Sequence, residues 1–206
     1  MKYTKKELFG GAITSDLPTD WIDLSDVRPI PDHQECFQDS LAKDNPTMLI
    51  VEILEMQDTV KDEDAAAFFF SDLAERNDAL QTQNDVRFCA LPEHASPKAL
   101  LEDESIAAGR NTIRLCAGSG YQKVAMGRDF DGAGNSRRTT QEIKCIRVDL
   151  CVLRLPSQQT DLLINISRPV DTGAIDEVPL EAPSAASAIM GQVVSTFRIH
   201  NWDLFG

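Results

Sequence analysis

A chain of 206 residues is long enough for one generous domain that buries a sheet and its flanking helices, and a single domain over residues 1–206 is expected. With 42% hydrophobic and 26% charged residues the composition is that of a soluble globular protein, which argues against intrinsic disorder. Lys and Arg total 20 against 33 Asp and Glu, a formal net charge of -13, so the surface repels phosphate backbones and anionic bilayers; neither nucleic acid nor a membrane is expected as a partner.

The first eleven residues, MKYTKKELFGG, carry charge but no apolar leader core. No later stretch approaches the roughly 18–20 apolar residues of a membrane span, so an intracellular soluble chain is expected. Residues 28–37, RPIPDHQECF, then set Asp32 and Glu35 three apart behind a Pro-x-Pro bend. Asp-x-x-Glu is the spacing of a helix capping box. However, HQECFQD has no helical stripe, and Cys36 and Phe37 suit a strand better. The expectation is a bend running into a strand. Residues three apart in a regular strand face opposite sides, so the two carboxylates act together only if Asp32 lies in the turn at the strand entrance. Pro31 favours that by fixing its own φ and restricting Ile30. From the residues alone, capping or turn solvation and a shared acidic site both stay open.

Thr47–Met56 is apolar on both alternating faces, as in a strand covered on both sides. The segment DEDAAAFFFSDLAE places Ala65, Phe68, Phe69 and Leu73 at helical spacing behind an acidic first turn, which complements the helix dipole. Residues 111–127 read as two strands joined by a hairpin at Gly118-Ser119-Gly120. EIKCIRVDLCVLRL and TDLLINIS are two further strands, and the link Pro156–Gln159 is short enough to require antiparallel neighbours. Pro183 and Ser184 open a last helix with Ile189, Val193 and Phe197 on one stripe and Ser184 as N-cap. Trp202, Leu204 and Phe205 give the tail enough apolar area to dock. The polar stretches 92–110 and 127–138 read as insertions or mobile loops. This order of elements predicts an α+β fold, an αβα sandwich around a central, mainly antiparallel sheet, rather than a doubly wound parallel one.

Motifs for chemistry are scarce. The Gly-x-Gly of AGSGYQK stands between strands rather than ahead of a helix, as phosphate binding would need. Asp129, Asp131 and Gly134 match part of a calcium loop, but Ala133 and Thr140 stand where ligands are required. His33, His94 and His200 have no metal-ligand spacing. Five cysteines without a C-x-x-C pair read as reduced core thiols. Asn165-Ile166-Ser167 matches a glycosylation acceptor only formally, since it lies in an apolar strand. No catalytic residue, metal or cofactor is expected.

The run ELFGGAITSDLPTDWIDLSDVRPIPDHQECF resembles the N-terminal signature of the Ran guanine nucleotide release factor family, the Mog-type Ran-binding proteins. It carries Leu-Phe-Gly-Gly-Ala, Leu-Pro, Ile-Asp-x-Ser-Asp-x-Arg and Pro-Asp-x-Gln-Glu. LIVEILE, LRLPSQQTDLLINISRP and IHNWDLFG extend the likeness to nearly the whole chain outside residues 92–142. The resemblance implies a PsbP-like αβα sandwich and a non-enzymatic role. Such proteins bind the small GTPase Ran, favour its nucleotide-free form, promote guanine nucleotide release and support nuclear protein import. It further implies residence in nucleus and cytoplasm, a monomer, and a second Ran-binding protein as a candidate co-partner. The alternative it leaves is a binding module of the same fold with a different protein target. The acidic residues of the Pro-Asp-x-Gln-Glu motif fall on Asp32 and Glu35, with Gln34, Arg28 and Phe37 as secondary Ran-binding candidates. His33 occupies the variable position, and Cys36 replaces the usual β-branched residue. Substituting Asp32 or Glu35 is expected to leave stability nearly unchanged, as at exposed positions generally.

Overall fold

The computed structural model describes residues 1–42, 46–79, 86–91, 106, 112–126, 129–130, 136–137, 142–170 and 185–206. The strands are β1 (Tyr3–Leu8), β2 (Ile13–Pro18), β3 (Trp21–Asp23), β4 (Gln34–Asp39), β5 (Met48–Glu55), β6 (Val86–Leu91), β7 (Arg114–Met126), β8 (Asp129–Phe130), β9 (Ser136–Arg137), β10 (Glu142–Leu155), β11 (Thr160–Val170) and β12 (Arg198–Ile199). Among the described residues two full helices accompany them, α1 (Ala65–Arg76) and α2 (Ala185–Thr196). Seven strands form the spine in the order β3-β4-β5-β11-β10-β7-β6, antiparallel at every pairing, while β1-β2-β12 make a smaller sheet and β8-β9 a ribbon.

The period of two along the central strands assigns each side chain to a layer. Leu49, Val51, Cys151, Leu153, Leu162, Ile164 and Ile166 point to one face and pack with Ile189, Val193, Val194 and Phe197 around α2, and with Leu8, Ile13 and Leu17 of the small sheet. Val148, Leu150, Val152 and Leu163 point to the other face, under Ala65, Ala66, Phe69 and Phe70 of α1. A sheet with both faces covered needs strands that are apolar throughout, as the Thr47–Met56 segment reads. The result is the predicted αβα sandwich. The C-terminal tail docks as expected: Trp202, Leu204 and Phe205 pack against the α2-side core, and the His200 and Asn201 N–H groups donate to the Ala12 carbonyl.

One predicted turn is absent. β7 runs unbroken through Gly118-Ser119-Gly120, which pair with Leu150, Asp149 and Val148 of β10 and with Ala90, Cys89 and Phe88 of β6. The glycines share the face of Cys116 and Gln122. The Cys116 thiol donates to the Glu63 carbonyl just ahead of α1, and Gln122 donates to Phe70 and accepts from Asn77. Glycines in this strand therefore mark the close approach of a helix rather than a reversal of the chain. The expected N-cap at Ser184 and nearly all of the stretches 92–110 and 127–138 lie outside the described residues.

The link from β5 to α1 is fastened by a buried guanidinium. Arg154 is 1% exposed; its Nε donates to Asp161 Oδ1 at 2.9 Å, its Nη1 to Asp62 Oδ1 at 3.0 Å and to the Val60 carbonyl, and its Nη2 to the Gln57 carbonyl at 2.8 Å. Asp161, fully buried, also accepts the Gln57 N–H at 3.0 Å. The Gln57 and Val60 carbonyls and the Asp62 carboxylate of the linker thus each find a charged donor.

Candidate functional site: an acidic corner at the entrance to β4

The approach to the site is built by local hydrogen bonds. At the end of edge strand β3, Asp23 Oδ1 accepts both the N–H (2.8 Å) and the hydroxyl (2.7 Å) of Ser25, starting a 3-10 turn over Leu24–Asp26 whose Leu24 is buried. The Arg28 N–H donates to the Leu24 carbonyl at 3.0 Å, and after the two prolines the Gln34 N–H donates to the Pro31 carbonyl at 2.9 Å. That last bond closes a turn over Asp32 and His33, from which β4 departs at Gln34. No helix begins here, so the capping-box geometry is ruled out. Asp32 stands exposed in the turn and Glu35 is the second residue of the strand, the arrangement required for the two to serve one site.

Glu35 is held differently from Asp32. It is half-buried on the sheet face shared with Phe37, and its Oε1 accepts the backbone N–H of Phe9. Phe9, Gly10 and Gly11 take φ values of 50°, 64° and 88°, three successive residues in positive-φ conformation. A bulky residue with positive φ is strained by about 1–3 kcal/mol and persists only where its surroundings fix it, which the Glu35 carboxylate helps to do. The Leu-Phe-Gly-Gly signature is therefore a backbone requirement. Replacing Gly10 by alanine is expected to lower stability by about 1 kcal/mol through conformation alone, since nothing lies within 4 Å of an added Cβ. Asparagine, which tolerates this region, should lose less, and urea midpoints at constant slope measure both.

Burial pushes the Glu35 carboxyl above its ordinary value of 4.5; the Phe9 N–H opposes the shift and the Asp23 carboxylate adds to it. A raised folded-state pKa means that the stabilising contribution is complete below the unfolded value and is lost as pH rises through the folded one. As pH rises from the unfolded value through the raised folded one, the wild type should therefore lose melting temperature relative to Glu35→Gln, whose amide oxygen still accepts from Phe9. A pH-independent difference between the two proteins would contradict this.

The remaining candidates diverge. Gln34 points to the opposite face and donates to Glu52 Oε1 at 2.8 Å; Glu52, only 7% exposed, is also approached by Arg76 at 3.4 Å and His33 at 3.7 Å. Arg28 is exposed and its guanidinium faces the Cys36 thiol, whose pKa burial raises. Phe37 is a core ring, 2% exposed, packed with the α2-side cluster. Burial likewise raises the Cys145 thiol and pushes Cys151 up to about 12, which makes them poor nucleophiles at neutral pH. Sequence reasoning missed Phe9, Asp23 and Glu52. The paired glycines after Phe9 and the acid at the centre of LIVEILE were the available signals. Among the described residues no cluster of three or more potential metal ligands occurs, and no helix is long and apolar enough to cross a membrane.

Residues 6–169, which include the Phe9 turn, the acidic corner and β5, match the family described as Ran-interacting Mog1 protein. The chain belongs to the Mog1 family. It is 32% identical to the human Ran guanine nucleotide release factor over 202 residues, covering 97% of this chain and 95% of the relative. To the bovine Ran guanine nucleotide release factor it is 30% identical over 201 residues, with the same coverage of both chains. The nuclear import protein mog1 of Schizosaccharomyces pombe is 28% identical over 194 residues, 93% of this chain and 91% of that one. The crystal structure of the Saccharomyces cerevisiae Ran-binding protein Mog1p superposes with a TM-score of 0.64 at 22% identity, covering both chains fully, and shows the Mog1 fold.

Proposed function

We propose that this Mog1-family chain binds the small GTPase Ran through the corner formed by Asp32 and Glu35, favours nucleotide-free Ran, and promotes guanine nucleotide release in support of nuclear protein import. The observation that carries this reading is the family match over residues 6–169, which contains both carboxylates on a turn and strand fixed by backbone hydrogen bonds. The chain breaks no bond of its substrate; it acts as a monomer in nucleus and cytoplasm, and a second Ran-binding protein is a candidate co-partner. Arg28 and Gln34 flank the contact, and Phe37 supports it from the core.

The physics favours acids for this task. A GTPase holds its nucleotide with a P-loop lysine and a magnesium ion bridging the phosphates, so a carboxylate brought close competes for the lysine and repels the phosphates. Linkage makes the effect reciprocal: whatever factor this protein takes from nucleotide affinity, nucleotide takes from the affinity for this protein. Titration against Ran in nucleotide-free and GDP-loaded forms tests the reading. Tighter binding to the empty form, weakening with added salt, is the expected result; equal affinity for both forms, or equal capture of unrelated small GTPases, would reject it.

A further inference from the structure

The two central residues of the corner motif, His33 and Gln34, both reach for one carboxylate of the neighbouring strand. Gln34 stands directly across the ladder from Glu52 of β5, on the α1 face, whereas Glu35 stands across from Val51, on the α2 face. The Gln34 amide donates to Glu52 Oε1 at 2.8 Å, and the His33 ring approaches that oxygen at 3.7 Å. The His33 carbonyl accepts the Ile53 N–H at 2.9 Å, which carries the β4–β5 pairing back into the turn. We propose that Gln34 is a positioning residue: anchored on Glu52, it fixes how the entrance of β4 presents Asp32 and Glu35 to Ran, and it makes no contact with Ran itself. This assigns a role within the Ran reading and rests on it.

Glu52 suits the part of anchor because it is buried, and a buried carboxylate is costly unless donors surround it. Arg76, the last residue of α1, approaches its Oε1 at 3.4 Å and is shared with Asp72 one helical turn earlier. One carboxylate thus fastens both the end of α1 and the entrance of β4 to the middle of β5. A Gln34 amide that swung out to meet a partner would take a charge-assisted bond away from a buried acceptor, a larger loss than a neutral contact at the surface returns. Held down, it does other work. With the side chain at 34 tied to one face, the alternation of the strand sends the carboxylate at 35 to the other. The Gln34 N–H, donated to the Pro31 carbonyl at 2.9 Å, closes the turn that carries Asp32. Ordering of this kind raises affinity by lowering the entropic cost of binding rather than by adding a contact.

Exchanging the two ends of the bond separates positioning from contact. Gln34→Glu alone sets another carboxylate beside Glu52, whose Arg76 is already shared with Asp72, and should weaken binding to nucleotide-free Ran by about tenfold. Gln34→Glu combined with Glu52→Gln restores the bond with donor and acceptor reversed, and Arg76 still finds an amide oxygen at position 52; affinity should return to near that of the wild type. In the free, isotopically labelled chain the amide shifts of Asp32, His33 and Glu35 should move in the single variant and return in the exchanged one. A folded Gln34→Glu that binds as tightly as the wild type would overturn the proposal. So would a folded exchanged variant that stays weak, because the Gln34 amide would then be the contact. Should Gln34→Glu fail to fold, Gln34→Met removes the donor without adding charge; a loss of about tenfold is again expected, and unchanged affinity overturns the proposal. If the wild type itself does not bind Ran, the Ran reading falls, and the amide shifts decide the anchoring alone: recovery in the exchanged variant supports it, and no recovery overturns it.

Discussion

Replacing Arg154 by methionine is expected to destabilise the protein by about 3–5 kcal/mol, the usual consequence of removing one partner from a buried ion pair. Methionine fills much of the space, so the loss is electrostatic rather than a cavity. It strands the fully buried Asp161 without its cation, takes the donor from the Val60 carbonyl, and leaves the Gln57 carbonyl with only the Val60 N–H. At about 2–4 °C per kcal/mol for a chain of this size, the melting temperature should fall by roughly 6–20 °C. The double change Arg154→Met with Asp161→Leu should recover part of the loss, because the uncompensated charge is then gone. Arg114, which also pairs with Asp62 but is 57% exposed, provides the contrast: Arg114→Ala should lower stability by less than about 1 kcal/mol. A comparable loss at both arginines would show that the clamp is not what holds the β5–α1 link.

The second large effect is on binding. Truncating one partner of a buried, hydrogen-bonded charge pair at an interface typically removes about 2–5 kcal/mol. Asp32→Ala should therefore weaken Ran binding by roughly 30-fold or more. Because Asp32 is exposed in its turn, stability should stay within about 0.5 kcal/mol. Glu35 does not share that neutrality, contrary to what the sequence suggests. Its carboxylate satisfies the Phe9 N–H, so Glu35→Ala should also lower stability, by about 1–3 kcal/mol. Glu35→Gln separates the two roles. It preserves an acceptor for Phe9 while removing the charge that the proposed competition with phosphate requires, so affinity should fall with most of the stability retained. Titration calorimetry and urea unfolding of the three variants distinguish these outcomes.

The legibility of the chain followed the physics of each segment. Doubly apolar runs such as Thr47–Met56 and the stripe of Ala65, Phe68, Phe69 and Leu73 announced the layers, because periodicity is a local property, although Phe68 of that stripe is exposed and Phe70 is buried in its place. Gly118 and Gly120 misled for the opposite reason. Their smallness serves a helix distant in sequence, and a turn and a close approach leave the same trace in one chain. At the corner, Pro31 and the strand-forming Cys36 and Phe37 were enough to expect a bend running into a strand, which β4 is, while the place of Asp32 in the turn stood only as a condition. That Glu35 binds the Phe9 N–H was not legible, since the bond spans 26 positions and joins the turn between β1 and β2 to a strand of the other sheet. Nor did any local pattern reveal that Gln34 turns to Glu52, which Arg76 at the end of α1 also approaches.

The most direct test of the acidic corner is nucleotide release from Ran loaded with a fluorescent guanine nucleotide, with this chain added as wild type or as the Asp32→Ala, Glu35→Gln double variant. The wild type should accelerate release, and the folded double variant should leave the rate near that of Ran alone. Release by the double variant at the wild-type rate would contradict the account.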